Sequence, residues 1–295
     1  MGSIPNCPVC GNEKLSFALK TIDYTVSNEE FSIYQCEHCS VRFTGNIPSL
    51  SQIGKYYESE QYISHTNSTK GLFNKLYQLV RNYSLVSKRE LVCKYSNSNS
   101  GIILDYGCGT GSFLNEMKSN GWGIKGVEPD AGAAQKATLL NGIKIDDSSS
   151  LSSFIPESVD VITLWHVLEH VHDLHPTLTT LKSILKANGV MFVAVPNYQS
   201  FDAAHYKQFW AAYDVPRHLY HFSKKSMDNL MEANVLQIVK VLPMWFDSFY
   251  VSLLSEKYKK NPIGPILAVI VGLLSNIIAF FKGNSSSLIY VIKQK

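Results

Sequence analysis

Residues 102–111, Ile-Ile-Leu-Asp-Tyr-Gly-Cys-Gly-Thr-Gly, restrict the fold more than any other stretch of the chain. An apolar run, Ile102 to Leu104, ends in Asp105, and Gly107, Gly109 and Gly111 follow at alternate positions. The run reads as a buried strand and Phe113 to Met117 as the start of a helix, giving a strand, glycine turn and helix in succession. Glycine gives such a turn backbone angles closed to other residues and lets a ligand lie against main chain. The helix beyond it offers free N–H groups. About twenty residues on, where a nucleotide-binding unit places its ribose acid, a second strand (Ile124 to Val127) ends in Glu128-Pro129-Asp130.

The glycine spacing separates two kinds of ligand. Dinucleotide turns read G-x-G-x-x-G and cradle a pyrophosphate. Here the pattern is G-x-G-x-G, with a carboxylate two residues before the first glycine. That carboxylate repels phosphate and suits an ammonium group, while the acid after the second strand suits paired ribose hydroxyls. A ribose, a cationic amino-acid moiety and no phosphate between them describe S-adenosylmethionine. At these residues the chain resembles class I S-adenosylmethionine-dependent methyltransferases. Asp105-x-Gly107-x-Gly109-x-Gly111 is similar to their first motif and Glu128 to their ribose-binding acid. The resemblance implies an α/β fold, a Rossmann-like seven-stranded and mostly parallel sheet. It also implies that Tyr106 and Pro129 flank the cofactor, with Asp147 and Ser148 near the adenine amino group.

Strand and helix patterns then alternate. Strands are expected at 102–105, 124–128, 143–145, Val159 to Leu164 and Val190 to Val195. Helices are expected at about 111–120, near 131–140 and at about 174–187, the last with Gly189 as its C-cap. This order predicts a parallel sheet covered on both faces, with ligand loops at the carboxyl ends of its strands. Ser223 reads as the cap of a helix over 224–233, and strands follow at Leu236 to Leu242 and Leu288 to Ile292. In the resembled family the last two strands form an antiparallel hairpin at one sheet edge. The methyltransferase domain is thus placed at 99–295, with an apolar insertion at about 244–286. Asn261 to Phe281 carries no charge. A helix from Pro265 to Phe281 spans about 25 Å at ~1.5 Å per residue, short of a ~30 Å hydrocarbon core. The segment therefore reads as a lid, or as a surface over 263–281 that touches lipid or an apolar acceptor; Lys257, Lys259, Lys260 and Lys282 flank it.

Cys7-Pro-Val-Cys10-Gly and Cys36-Glu-His-Cys39 are two C-x-x-C pairs, which predict a tetrahedral four-cysteine zinc site. Residues 1–48 form a zinc ribbon in this reading, with short strands such as Phe31 to Gln35 and much of the folding free energy supplied by the metal. Residues 49–98 are a helical linker or lid in which Leu72, Leu76, Leu79, Val80, Tyr83 and Val86 recur on one helical face. Cys108, inside the glycine turn, reads as a small filler. Met1 to Pro5 leads straight into Cys7 with no basic-plus-apolar segment, so a cytoplasmic protein with reduced thiols is expected.

Methyl transfer from a sulfonium needs an aligned nucleophile, and a hydroxyl or acidic carbon also needs a base. Histidines are concentrated after the fourth core strand, in Trp165-His166-Val-Leu-Glu169-His170-Val-His172-Asp173. This stretch resembles the Glu-His-Val segment of ubiquinone-type methyltransferases. The likeness implies Trp165 and His166 on the adenosine side and Glu169-His170 near the reaction centre. His166 and His170 are spaced to share a helix face, without the H-E-x-x-H pattern of a metal pair. A second cluster, Phe209 to Phe222, contains Pro-Arg-His-Leu-Tyr-His-Phe, which resembles a segment lining the substrate side in a methyltransferase-23-like family. His218 is the first choice for a general base and His170 another catalytic candidate, with Arg217 binding an anionic group or holding the loop. Tyr57 and Tyr62 either close the pocket or fill core.

The resulting expectation is a methyltransferase acting on oxygen or carbon of a small-molecule acceptor. A ribbon ahead of such a domain also resembles sugar C-methyltransferases, which carry a further C-terminal domain. An RNA-modifying enzyme is the nearest competing reading, but residues 1–48 carry a net charge of −2 within a chain of +3, whereas phosphate binding needs clustered Lys and Arg. A non-catalytic cofactor-binding scaffold and an NAD oxidoreductase fit the motifs less well. The sequence carries no signal of oligomeric state.

Overall fold

Three antiparallel strands open the chain: β1 (Leu15–Ile22), β2 (Glu30–Cys36) and β3 (Arg42–Thr44). The computed structural model describes residues 6–57 and 72–295, so Tyr62 lies outside the described residues, as do the side chains of Leu72 and Leu76. The small sheet gains a fourth strand from far along the chain, β8 (Tyr220–His221), which pairs Arg42 with His221 and Phe43 with Tyr220. The ribbon is therefore continuous with the loop that carries His218.

The central sheet runs in the order β5-β4-β6-β7-β10-β9. Its strands are β4 (Ile102–Tyr106), β5 (Gly123–Val127), β6 (Val159–Trp165), β7 (Leu185–Pro196), β9 (Leu236–Met244) and β10 (Ser287–Gln294). The first four are parallel, and β10 enters antiparallel between β7 and β9. Both faces are buried, and alternate residues feed opposite clusters, as a period of two requires. Ile103, Val161 and Phe192 pack with Val92 of α1 (Leu72–Ser96) and with Phe113 and Met117 of α2 (Ser112–Ser119). Leu104, Ile162, Met191 and Val193 pack with Leu178 and Leu181 of α4 (Leu174–Ile184) and Leu230 of α6 (Lys224–Ala233). The helix between β5 and the next loop is α3 (Ala131–Asn141), and α5 (Phe201–Tyr206) follows β7. Ser223 caps α6 with a reciprocal Ser226 capping box, as the sequence predicts.

Four expectations are corrected. The strand at 143–145 is reduced to one isolated bridge, Val127 to Asp146, so six strands and a bridge stand where seven strands were expected among the described residues. The helix expected to reach 187 ends at Ile184 because Leu185 is already extended and paired with Val159, so Gly189 is inside β7 and caps nothing. Residues 166–173 form no α-helix; Leu168–His170 is a single 3-10 turn, and His166 has φ +59°, so the two histidines share no helix face. On α1 the expected apolar stripe is partly outward, with Leu79 66% and Tyr83 62% exposed.

The insertion is two packed helices, α7 (Asp247–Tyr258) and α8 (Gly264–Lys282). The small residues of α8, Gly264, Ala268, Gly272, Ser275 and Ala279, are buried, and a Cβ on Gly272 would meet Phe249 at 2.7 Å. Its large residues point outward: Ile266, Val269, Leu273 and Ile277 are exposed, as is Phe281 at 80%. By length and composition alone this is one helix able to cross a membrane, but the chain returns from it directly into β10 in the sheet.

Candidate functional site

The turn after β4 uses its three glycines differently. All three have positive φ, at 76°, 54° and 78°. A Cβ on Gly107 would run into Val167, and one on Gly111 into Asn141 and Ala137, the latter at 2.8 Å. At Gly109 a Cβ would meet nothing within 4 Å. The first and third therefore serve packing, and the middle one leaves an open face of backbone.

Two carboxylates stand at the strands flanking the turn, Asp105 in β4 and Glu128 just after β5. Asp105 is buried and accepts a hydrogen bond from Thr163 Oγ1 at 2.6 Å; burial pushes its carboxyl up to about 7 against the opposing pull of that bond and of the Lys88 ammonium. Glu128 accepts from Gly109 N at 2.7 Å and from Asp130 N at 3.0 Å, so it braces the turn. Burial raises its pKa. Asp130 caps α3 through Ala133 N, and Asp147 caps the 3-10 turn Ser148–Ser153 through Ser149 N. Tyr106 is buried at the end of β4, and Pro129 sits between Glu128 and that capped helix.

At the end of β6, Trp165 packs edge-on against Phe113, and the Lys88 ammonium sits 4.5 Å above its ring. Burial lowers the Lys88 pKa, with Asp247 and Asp105 acting against it. Both partners come from elements that the motifs do not mark: Lys88 from α1 and Asp247 from the insertion. The sequence reading missed both. His166 lies 3.0 Å from Asp247 and 3.5 Å from Glu169. Burial disfavours its charge, but the two carboxylates win and push its pKa up to about 10.

Further along, His170 Nδ1 lies 3.0 Å from the Arg217 carbonyl and 3.2 Å from Tyr57 Oη. Burial, with His218 beside it, pushes the His170 pKa down to about 4. His218 Nδ1 lies 2.8 Å from the Ala212 carbonyl, and the two imidazoles meet edge to face at 4.6 Å. The fold thus brings together His170, His218 and Tyr57. It does not bring Arg217 with them as an anion receptor. That guanidinium is 1% exposed and fully engaged: Asp214 holds two of its nitrogens, Asp23 Oδ1 lies at 2.9 Å and the Tyr56 carbonyl at 2.7 Å. Of the two roles expected for Arg217, holding the loop is the one its contacts match. His172 and His175 reach the carbonyls of Pro48 and Val9, tying the ribbon to the sheet domain.

In the ribbon, Cys7 and Cys39 sulfurs are 3.5 Å apart, Cys10 and Cys36 3.6 Å, and all four lie within 4.8 Å of one another. Sulfurs around one tetrahedral zinc at ~2.3 Å bonds stand about 3.8 Å apart. The donor chemistry and spacing fit that ion. Cys108 packs with Leu114, Ala137 and Ile145 as a filler.

Residues 77–241 match the family model described as a methyltransferase domain. The chain belongs to this methyltransferase domain family. Among curated proteins, the chain is 31% identical over 111 residues to the ubiquinone biosynthesis O-methyltransferase of Pasteurella multocida, covering 32% of this chain and 46% of that one. It is 28% identical over 159 residues to that of Sinorhizobium medicae, covering 49% and 63%. The chain spans about half the length of the curated relatives it matches. Among solved structures, geranyl diphosphate C-methyltransferase from Streptomyces coelicolor, in complex with Mg2+, geranyl diphosphate and S-adenosyl-L-homocysteine, superposes with TM-score 0.51 at 14% identity, covering 79% of this chain and 88% of that one. A SAM-dependent methyltransferase from Archaeoglobus fulgidus gives 0.50 at 17%, covering 72% and 94%. At these identities the likeness is one of fold.

Proposed function

We propose that this protein transfers a methyl group from S-adenosylmethionine to an oxygen or carbon of a small-molecule acceptor. The observation that carries the reading is the open backbone at Gly109, with the carboxylates of Asp105 in β4 and Glu128 just after β5. Asp105 would take the ammonium and Glu128 the ribose hydroxyls, with Tyr106, Gly107, Gly111 and Pro129 shaping the walls. Lys88 would take the carboxylate of the same amino-acid moiety, and Asp147 and Ser148 the adenine edge. Trp165 would lie on the adenosine side, with His166 fixing the loop between Asp247 and Glu169. When bound, the cofactor supplies an electrophilic methyl carbon on a sulfonium.

The chain's own contribution is alignment and a base. A backbone carbonyl only accepts, so His218 Nδ1 donates to Ala212 and leaves Nε2 free to take a proton. His170, neutral near pH 7 because of its lowered pKa, stands beside it as a second acceptor. We expect His218→Ala to lower kcat by on the order of 100-fold to 10,000-fold, the usual span of general-base catalysis. S-adenosylhomocysteine affinity should stay within about threefold, because His218 does not touch the glycine turn. Partial rescue by added imidazole would mark the loss as chemical; unchanged turnover would remove His218 from the mechanism.

We further propose that the four cysteines hold a structural Zn2+ and that the protein works in the cytoplasm. The outward face of α8, with Ile266, Leu273, Ile277 and Phe281 exposed and Lys257, Lys259, Lys260 and Lys282 at its ends, supports peripheral contact with an anionic lipid surface, from which an apolar acceptor would be drawn. Vesicles containing phosphatidylglycerol should sediment with the protein. The double change Leu273→Glu and Ile277→Glu should cut that binding by roughly tenfold or more, since each buried aliphatic side chain is worth about 1.5–3 kcal/mol. Equal sedimentation of both forms would discard the lipid contact.

A further inference from the structure

Glu169 is fully buried and its carboxylate forms no hydrogen bond of good geometry within the protein; its nearest charged neighbour is His166, with Nδ1 3.5 Å from Oε1. Buried carboxylates are ordinarily hydrogen-bonded, paired or bound to a metal, because an uncompensated charge in the interior is costly. One ligand atom each from Glu169, His170 and His218 lie within 4.8 Å of one another. Both imidazoles are fixed at Nδ1 by backbone carbonyls, Arg217 at 3.0 Å and Ala212 at 2.8 Å. Each Nδ1 therefore carries its proton and each Nε2 keeps a lone pair. Metal-ligating histidines are oriented in this way, by a carbonyl or carboxylate on the far ring nitrogen.

We propose that Glu169, His170 and His218 form a binding site for one divalent transition-metal ion of the zinc class, separate from the four cysteines. Two imidazoles and one carboxylate form a donor set that binds Zn2+ and leaves a position open. Mg2+ and Ca2+ prefer oxygen ligands throughout and suit this set poorly. The competitor for the Glu169 charge is His166, 3.5 Å away at Nδ1, but its other nitrogen is closer to Asp247, at 3.0 Å. Asp247 therefore carries the larger share of that ion pair. Ligand atoms around one such ion stand roughly 3–4 Å apart, so small side-chain rotations close the set. The site does not rest on the methyl-transfer reading. Where both hold, the open position receives the acceptor's oxygen, and the ion takes over from His218 the task of weakening its O–H bond, with the proton passing to solvent.

The test uses the full chain, loaded at its cysteines with one equivalent of Zn2+ and then titrated with Co2+ under visible spectroscopy. One further equivalent is expected, with weak d–d bands and no intense thiolate-to-cobalt charge transfer. It should be lost in Glu169→Gln and in His218→Ala, each checked for S-adenosylhomocysteine binding. A zinc-loaded wild-type protein that takes up no cobalt, or shows only the thiolate band, overturns the site, as does full stoichiometry in folded Glu169→Gln. The wild-type arm decides even if a variant fails to fold. Cofactor binding without a second ion would sink the metal site alone. A second ion without cofactor binding would sink the methyl-transfer reading alone.

Discussion

Glu128→Ala is expected to weaken S-adenosylhomocysteine binding by about two orders of magnitude, roughly 3 kcal/mol, as measured by calorimetry. Two effects add. The ribose hydroxyls lose a charged acceptor, where each such hydrogen bond is worth about 1.5–3 kcal/mol. The glycine turn also loses its brace, because Gly109 N and Asp130 N both donate to this carboxylate. Glu128→Gln separates them: it keeps one oxygen acceptor at the same reach and should fall between wild type and alanine. Thermal stability should change little beside the affinity, since Glu128 is only partly buried and lies just beyond the end of β5. Unchanged affinity in Glu128→Ala would mean that the site does not hold a ribose as proposed.

Replacing Cys36 by serine should be the most damaging change to stability. Structural zinc in small ribbons contributes on the order of 10 kcal/mol of apparent binding free energy at pH 7. Cys36 is fully buried at the end of β2, so the loss reaches the whole small sheet. A fall in Tm of roughly 10 °C or more and loss of stoichiometric zinc are expected, read by calorimetry and metal analysis. The damage should spread in one direction. β3 pairs with β8, Asp23 of the ribbon grips Arg217, and the backbone carbonyl of Arg217 holds His170. Turnover should therefore collapse, while the glycine turn still binds S-adenosylhomocysteine within about threefold. If Cys36→Ser kept both its Tm and its turnover, the ribbon would need no metal and the chain of contacts to His170 would carry no load.

The parts of the fold legible in sequence were those set by local chemistry. Alternating apolar runs marked β4, β5, β6 and β7 because a strand buried on both faces must be apolar throughout. Ser223 announced α6 because its hydroxyl has one good local use. Paired C-x-x-C knuckles announced the sulfur cluster for the same reason. What stayed hidden was non-local. Nothing near Lys88 or Asp247 shows that α1 and the insertion deliver them to Trp165 and His166. The two-residue strand β8 is too short for any periodicity, so the union of the ribbon with the loop carrying His218 could not be read. Arg217 looked available for substrate because its partners Asp23 and Tyr56 are distant in sequence. Leu79 and Tyr83 have helical spacing, yet spacing says nothing about whether a neighbour arrives to cover that face.

The unequal surroundings of the three turn glycines have a practical consequence for mutational surveys. Alanine at 107 or 111 collides with Val167 or with Asn141 and Ala137, so those variants should be depleted by any screen for soluble yield. At 109 only the positive φ opposes a side chain, and a bulky one projects into empty space. A screen for abundance would pass that position over, and a screen for ligand capture would single it out. The middle letter of the motif is thus where selection for ligand and selection for a folded chain come apart.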